Sequence, residues 1–191
     1  DLTPAQPRTS PFGDMEGHWA SQYATFLYDQ GISQGTGGDV PQYQPNRNIT
    51  RAEFFAMAAN WLGVDLTLYE SVELPFADAG DIPAWALPQI KAVYSLGLLQ
   101  GTETADGRLL CNPLATISRG EAITLLGRTQ ARGYAEDDLS AFTDADQVPQ
   151  WAAPYIKTLV AQGVVNGTND QIRAGGLLTR GEVAKLLYGM V

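Results

Sequence analysis

The chain has one cysteine among its 191 residues, so no disulfide can close within it. No run of about eighteen apolar residues occurs, which excludes a membrane-spanning helix from this sequence. Basic charge is scarce: 12 Lys and Arg face 21 Asp and Glu, for a net charge of -9. That balance excludes general binding to nucleic acid or to an anionic membrane, both of which need a basic face. Any anionic partner must be met by locally placed arginines. Residues 1–11 lack the basic start and apolar core of a signal peptide, as a mature secreted chain would. No phosphate loop, zinc-ligand spacing or nucleophile elbow is present. What the chain does have is an ordinary hydrophobic share, 45%, enough for a packed core.

It also says nearly the same thing three times. Each copy opens on an aromatic-x-Asp (Phe12-Gly13-Asp14, Phe76-Ala77-Asp78, Phe142-Thr143-Asp144) and continues to a tryptophan, Trp19, Trp85 or Trp151. Twelve residues beyond the tryptophan comes the first glycine of a Gly-x-x-x-Gly-Thr stretch, at Gly31, Gly97 and Gly163. Each copy closes on a Ser/Thr-Arg-x-Glu phrase: Thr50 to Glu53, Ser118 to Glu121, Thr179 to Glu182. Successive tryptophans are 66 residues apart both times. A site built once by such a unit is expected to be built three times.

Within a copy the spacing predicts two helices joined by an irregular loop. After each tryptophan, apolar residues recur at helical intervals (Ile90, Val93 and Tyr94; Ile156, Leu159 and Val160) and stop at a glycine suited to a left-handed cap. Pro88 and Pro154 fit only the first turn, where an amide proton is not needed. The second helix is announced by the closing phrase. Ser/Thr followed three residues later by Glu is a capping box, in which hydroxyl and carboxylate each satisfy one orphan amide. Its spacing accounts for Glu53, Glu121 and Glu182 without a ligand. The apolar stripes that follow need one another for burial, so the three repeats are expected to form one all-α structural unit. The expected divisions are an N-terminal extension (1–10), repeats at 11–63, 75–130 and 141–191, and linkers at 64–74 and 131–140. Cys111 shares its place in the repeat with Tyr43 and Ile172, which makes it a buried small hydrophobe rather than a reactive thiol.

The arginine of the phrase is the odd member. At N1, Arg51, Arg119 and Arg180 put a cation where the helix dipole prefers an anion, at a cost of about 0.3–1 kcal/mol each. Two uses offset it: a salt bridge to Asp14, Asp78, Asp144 or a linker acid, or a carboxylate receptor made of guanidinium and free helix amides.

In the order and spacing of these elements over residues 11–191 the chain resembles a tandem of three S-layer homology domains. The resemblance implies a pseudo-threefold, three-pronged spindle of helix-loop-helix repeats around a central three-helix bundle. It also implies a non-covalent anchor, outside the cell, that holds secreted proteins to a secondary cell-wall polysaccharide, often one bearing pyruvylated N-acetylmannosamine. The pyruvyl group is a carboxylate, and the family pattern makes Arg51, Arg119 and Arg180 its partners. Gly31, Gly97 and Gly163 would let sugar approach the backbone, and Asp14, Asp78 and Asp144 would accept from sugar hydroxyls. Trp19, Trp85 and Trp151 either pack on a sugar face or sit in the core. No cofactor or metal is implied.

Departures among the copies predict three grooves of unequal affinity. Ala174 replaces Pro45 and Pro113, with Gly175-Gly176 after it, so the third loop should be looser and the Arg180 site weakest. Gly120 and Gly181 replace Ala52, costing about 0.5–1 kcal/mol each in helix preference unless something must come close there. An enzyme is disfavoured, because every recurring glutamate has a capping explanation whereas glycoside hydrolysis needs two committed carboxyls. His18 has Ala84 and Gln150 as counterparts, which argues against a metal or acid–base role. The acidic pairs Asp78 with Asp81 and Asp144 with Asp146 lack the alternation and closing Glu of a calcium loop. The other non-enzymatic reading is a protein-interaction or surface-layer self-assembly module, marked by exposed apolar stripes. The chain stops just past its last helix, at Met190-Val191, as a piece of a longer protein would.

Overall fold

A computed structural model describes residues 9–130 and 139–191. The expected N-terminal extension and the 131–140 linker fall almost wholly outside the described residues. Among those residues there are six α-helices, two per repeat as the spacing predicts: α1 (Ser21–Asp29) and α2 (Arg51–Leu62), α3 (Leu87–Ser95) and α4 (Arg119–Arg128), α5 (Ala153–Ala161) and α6 (Arg180–Gly189).

The first helix of each repeat ends in the same six-residue closure. In α3 the amide of Gly97 donates to Tyr94 O at 2.9 Å and that of Leu98 to Val93 O at 2.9 Å, with Gly97 at φ 73°. This is a Schellman motif, and the left-handed residue at its turn is why a glycine stands there. Pro88 and Pro154 fall in the first turns of α3 and α5. At the second helices, Thr50 with Glu53 and Ser118 with Glu121 form complete capping boxes. In the third, Thr179 Oγ1 accepts from the Glu182 amide at 3.2 Å.

Between the two helices the loops are more ordered than the sequence suggests. Repeat 2 forms a short antiparallel hairpin, β1 (Thr102–Glu103) with β2 (Leu109–Leu110), in place of the irregular loop. Gly101 leads into it at φ 77°, and a Cβ there would lie 2.6 Å from the Phe76 ring. The opening phenylalanine of the repeat therefore packs where only glycine leaves room. The 64–74 linker holds a 3-10 turn (Leu66–Tyr69), begun by the Asp65 carboxylate accepting from the Thr67 amide, and this turn packs on α3.

The chain divides into two compact units, residues 1–47 with 179–191, and residues 48–178. In the first, α1 packs on α6, with the Tyr188 ring against Tyr23 and Phe26 at 5.1 and 5.0 Å between centroids. In the second, α2 packs on α3 and α4 on α5. Each second helix thus takes as principal partner the first helix of the following repeat, and the last takes the first helix of the chain. Gly127 is what lets α5 close on α4, since a Cβ there would meet Tyr155 Cβ at 2.6 Å. Within the second unit the residues preceding the three caps also meet: Ile49 donates to Leu178 O at 2.9 Å and Ile117 to Ile49 O at 3.3 Å, all three side chains being buried.

Candidate functional site

The recurring phrase builds a latch between consecutive repeats. The N1 and N2 amides of α2 donate to Ala115 O and Pro113 O, at 2.8 and 2.9 Å. Those of α4 donate to Gly176 O and Ala174 O, and those of α6 to Arg47 O and Pro45 O, over the same distances. The helix-start amides expected to be free for a carboxylate are therefore spent on loop carbonyls, and the N3 amides on the capping hydroxyls. A Cβ at Gly120 or Gly181 would stand 3.1 Å from the Ala174 or Pro45 carbonyl oxygen, while α2 makes the equivalent bond with Ala52. The third loop, expected to be looser, offers the same two carbonyls as the others.

Each arginine of the phrase follows its amide into that loop. Nε of Arg51 donates to Cys111 O at 2.8 Å, Nε of Arg119 to Ile172 O at 2.9 Å, and Nε of Arg180 to Tyr43 O at 2.7 Å. The aspartates hold the same three loop residues from the other side. The two carboxylate oxygens of Asp14 accept from the Tyr43 and Gln44 amides, those of Asp78 from Cys111 and Asn112, and those of Asp144 from Ile172 and Arg173, all at 2.7–2.8 Å. The second residue of each pair has positive φ, 57°, 51° and 57°, a conformation the carboxylate fixes. The salt bridge expected between phrase arginine and opening aspartate is replaced for Arg51, whose Nη1 meets Glu121 Oε1 at 2.7 Å while its guanidinium lies 5.2 Å over the Phe55 ring. A cation at N1 is stabilised because the carbonyl and the neighbouring carboxylate sit closer to it than the dipole does. Cys111 between these groups is fully buried, and burial pushes its thiol up to about 11, with Arg51 opposing and Asp78 adding to the shift.

The tryptophans take the exposed alternative. Trp19, Trp85 and Trp151 are 52%, 58% and 53% exposed, each just before a first helix, so core packing does not explain them. Gly31, Gly97 and Gly163 are also exposed, with open space where a Cβ would stand.

Within the second unit these surfaces enclose a groove of about 390 Å³ drawn from all three repeats. Arg51 and Phe55 of α2 line it, with the 98–102 backbone just after Gly97, Glu121 and Arg128 of α4, and Trp151. The groove brings together Arg51 and Trp151 of the expected residues, with Gly97 at its edge. Arg119 and Arg180 stand in equivalent latches, and the three aspartates are built into the loops. Two residues escaped the sequence as parts of the groove. Glu121 caps α4 as its spacing predicts, and its second oxygen holds Arg51. Arg128 has Asn60 and Gly189 as its counterparts, so a search for recurrence passes over it; the departure itself was the signal. His18 is tied to the protein through both ring nitrogens, its Nδ1 accepting from the Ala20 amide at 3.1 Å and its Nε2 lying 3.2 Å from Asn46 Oδ1.

Paired helices, an inter-repeat latch and a shared groove define a helical repeat module. The S-layer homology domain model matches residues 11–55, 75–123 and 141–184, and the chain belongs to that family. It is 31% identical over 185 residues to an amylopullulanase of Thermoanaerobacterium thermosulfurigenes, which covers 94% of this chain and 9% of that protein. It is 29% identical to exoglucanase XynX of Acetivibrio thermocellus, over 94% of this chain and 16% of that one. It is also 29% identical to the surface-layer 125 kDa protein of Lysinibacillus sphaericus, over 82% of this chain and 12% of that one. The chain thus spans a small fraction of these relatives' lengths. What it shares with the two named as enzymes is the repeat region, so those names imply no enzymatic role for it. The chain is a cell-surface anchoring module that works outside the cell at the envelope surface. No helix among the described residues is long and apolar enough to cross a membrane.

Proposed function

We propose that the chain anchors a surface protein non-covalently by binding an anionic secondary cell-wall polysaccharide, pyruvylated on N-acetylmannosamine, in grooves between repeats. The observation that carries this reading is the groove of the second unit, where an exposed tryptophan faces guanidinium groups in a protein of net charge -9. An apolar sugar face stacks on Trp151, and the 100–102 stretch of the groove, exposed or half-buried, meets its hydroxyls. Arg51 offers the N–H groups its latch leaves over. Trp19, Trp85, Gly31 and Gly163 are exposed in their own repeats as well, and Arg119 and Arg180 carry the recurring guanidinium there. Asp14, Asp78 and Asp144 serve the ligand by fixing the loops. All three repeats acting as one structural unit belongs to the same proposal.

Co-sedimentation with purified cell-wall sacculi, before and after acid extraction of the secondary polymer, tests it. Binding should be lost on extraction. Undiminished binding would overturn the polysaccharide reading in favour of a protein or bare peptidoglycan partner.

A further inference from the structure

The charges of the groove cancel where the recurring arginine stands, but not at Arg128. Its charged side chains are Arg51, Glu121 and Arg128. Arg51 is 7% exposed and its charge is matched by Glu121 at 2.7 Å, with Nε already on the Cys111 carbonyl. Arg128 differs at each point. Its Nη1 donates to Leu98 O at 3.1 Å and its Nη2 to Gln100 Oε1 at 3.2 Å, both neutral acceptors, and its guanidinium lies 5.6 Å over the Tyr155 ring. Among the described residues no carboxylate pairs with it. The side chain is thus held in place by a carbonyl, an amide oxygen and a ring face, with its charge unmatched and on the groove wall.

Resting on the polysaccharide reading, we propose that Arg128 is the specificity-determining cation of this groove, supplying the charge that balances the ligand's carboxylate while Arg51 supplies only a hydrogen-bond donor. A guanidinium fixed by two neutral partners keeps three further N–H groups and its full charge for an incoming carboxylate, whereas one already paired must share. Asn60 and Gly189 bring no charge to the equivalent places, so acid-dependent binding is concentrated in this groove.

The test uses a pyruvylated N-acetylmannosamine disaccharide and its neutral methyl ester, titrated against the intact chain while the Trp151 indole resonance is followed, which reads this groove alone. The unchanged chain should bind the acid about tenfold or more tightly than the ester. Arg128→Gln should abolish that preference, so that acid and ester bind equally, and Arg128→Lys should restore part of it. Circular dichroism of both variants verifies folding, and the charge-keeping Lys variant carries the test if the Gln variant is misfolded, since it should bind the acid with affinity between parent and ester. An undiminished acid preference in Arg128→Gln, or acid affinity in Arg128→Lys equal to that for the ester, would overturn the assignment alone. Failure of the unchanged chain to bind either probe would overturn the polysaccharide reading and this assignment with it.

Discussion

Arg119 and Arg128 stand at opposite ends of α4 and are held in opposite ways. Arg119 recurs in all three repeats and reaches out of its own repeat to a loop carbonyl of the next. Arg128 occurs once and stays within repeat 2 and the ring of Tyr155, at the mouth of a groove. The same division runs through the molecule. Phrase arginines reach into the loop of another repeat, the opening aspartates fix those loops within their own repeats, and the glutamates cap the second helices. The exposed tryptophans and Arg128 are held in place without being needed there. In a repeat protein, recurrence of a charged residue therefore marks the repeat interface as readily as it marks a ligand, and charge present in one copy alone is the better guide to a specific contact.

Substitutions on the two sides should separate accordingly. The largest effect is expected from Arg51→Ala, which leaves the Cys111 carbonyl and the Glu121 carboxylate without their cation. Urea unfolding should show a loss of about 3 kcal/mol, and a loss under about 1 kcal/mol would break the latch. Next come the two glycines of one loop. Gly101→Ala must hold φ 77° and also push against Phe76, for about 3 kcal/mol, whereas Gly97→Ala pays only the left-handed backbone, about 1 kcal/mol. Equal losses would mean that the phenylalanine contact does not constrain the turn. Trp151→Ala, on the groove side, should shift stability by no more than about 0.5 kcal/mol while weakening saccharide binding; a large loss of stability would place it with the folding set.

The smallest effect concerns pH. Folding raises the Cys111 thiol from 9.0 to about 11, so the folded chain holds a proton that the unfolded chain releases. The stabilisation is fully present below pH 9 and is lost as pH rises through about 11. Subtracting the stability profile of Cys111→Ala from that of the parent isolates this fall, and a flat difference between pH 9 and 11 would show the thiol to be solvated.

Much of the latch was legible in the chain because its parts are local. The capping boxes and the glycine closures follow from spacings of three to six residues, and Pro88 and Pro154 fixed the starts of their helices. Partners were not legible. The apolar stripe of α2 fits α1 as well as α3, and only the packed chain shows that the following repeat wins. The aspartates acquire their roles from loops that bring Asp78 to Cys111 across 33 residues, which no local pattern announces. A separation of 70 residues hid the pairing of Arg51 with Glu121, and so left the phrase arginine looking unemployed. Exposure of the tryptophans is likewise a tertiary outcome, since an aromatic before a helix suits a core equally well.

The division between residues committed to the latch and residues left to the groove is tested most directly by sedimenting the Arg128→Gln, Trp151→Ala double variant with purified cell walls. The account predicts binding at least about tenfold weaker than the parent's, with an unfolding midpoint almost unchanged. Parental binding by the folded double variant would contradict it.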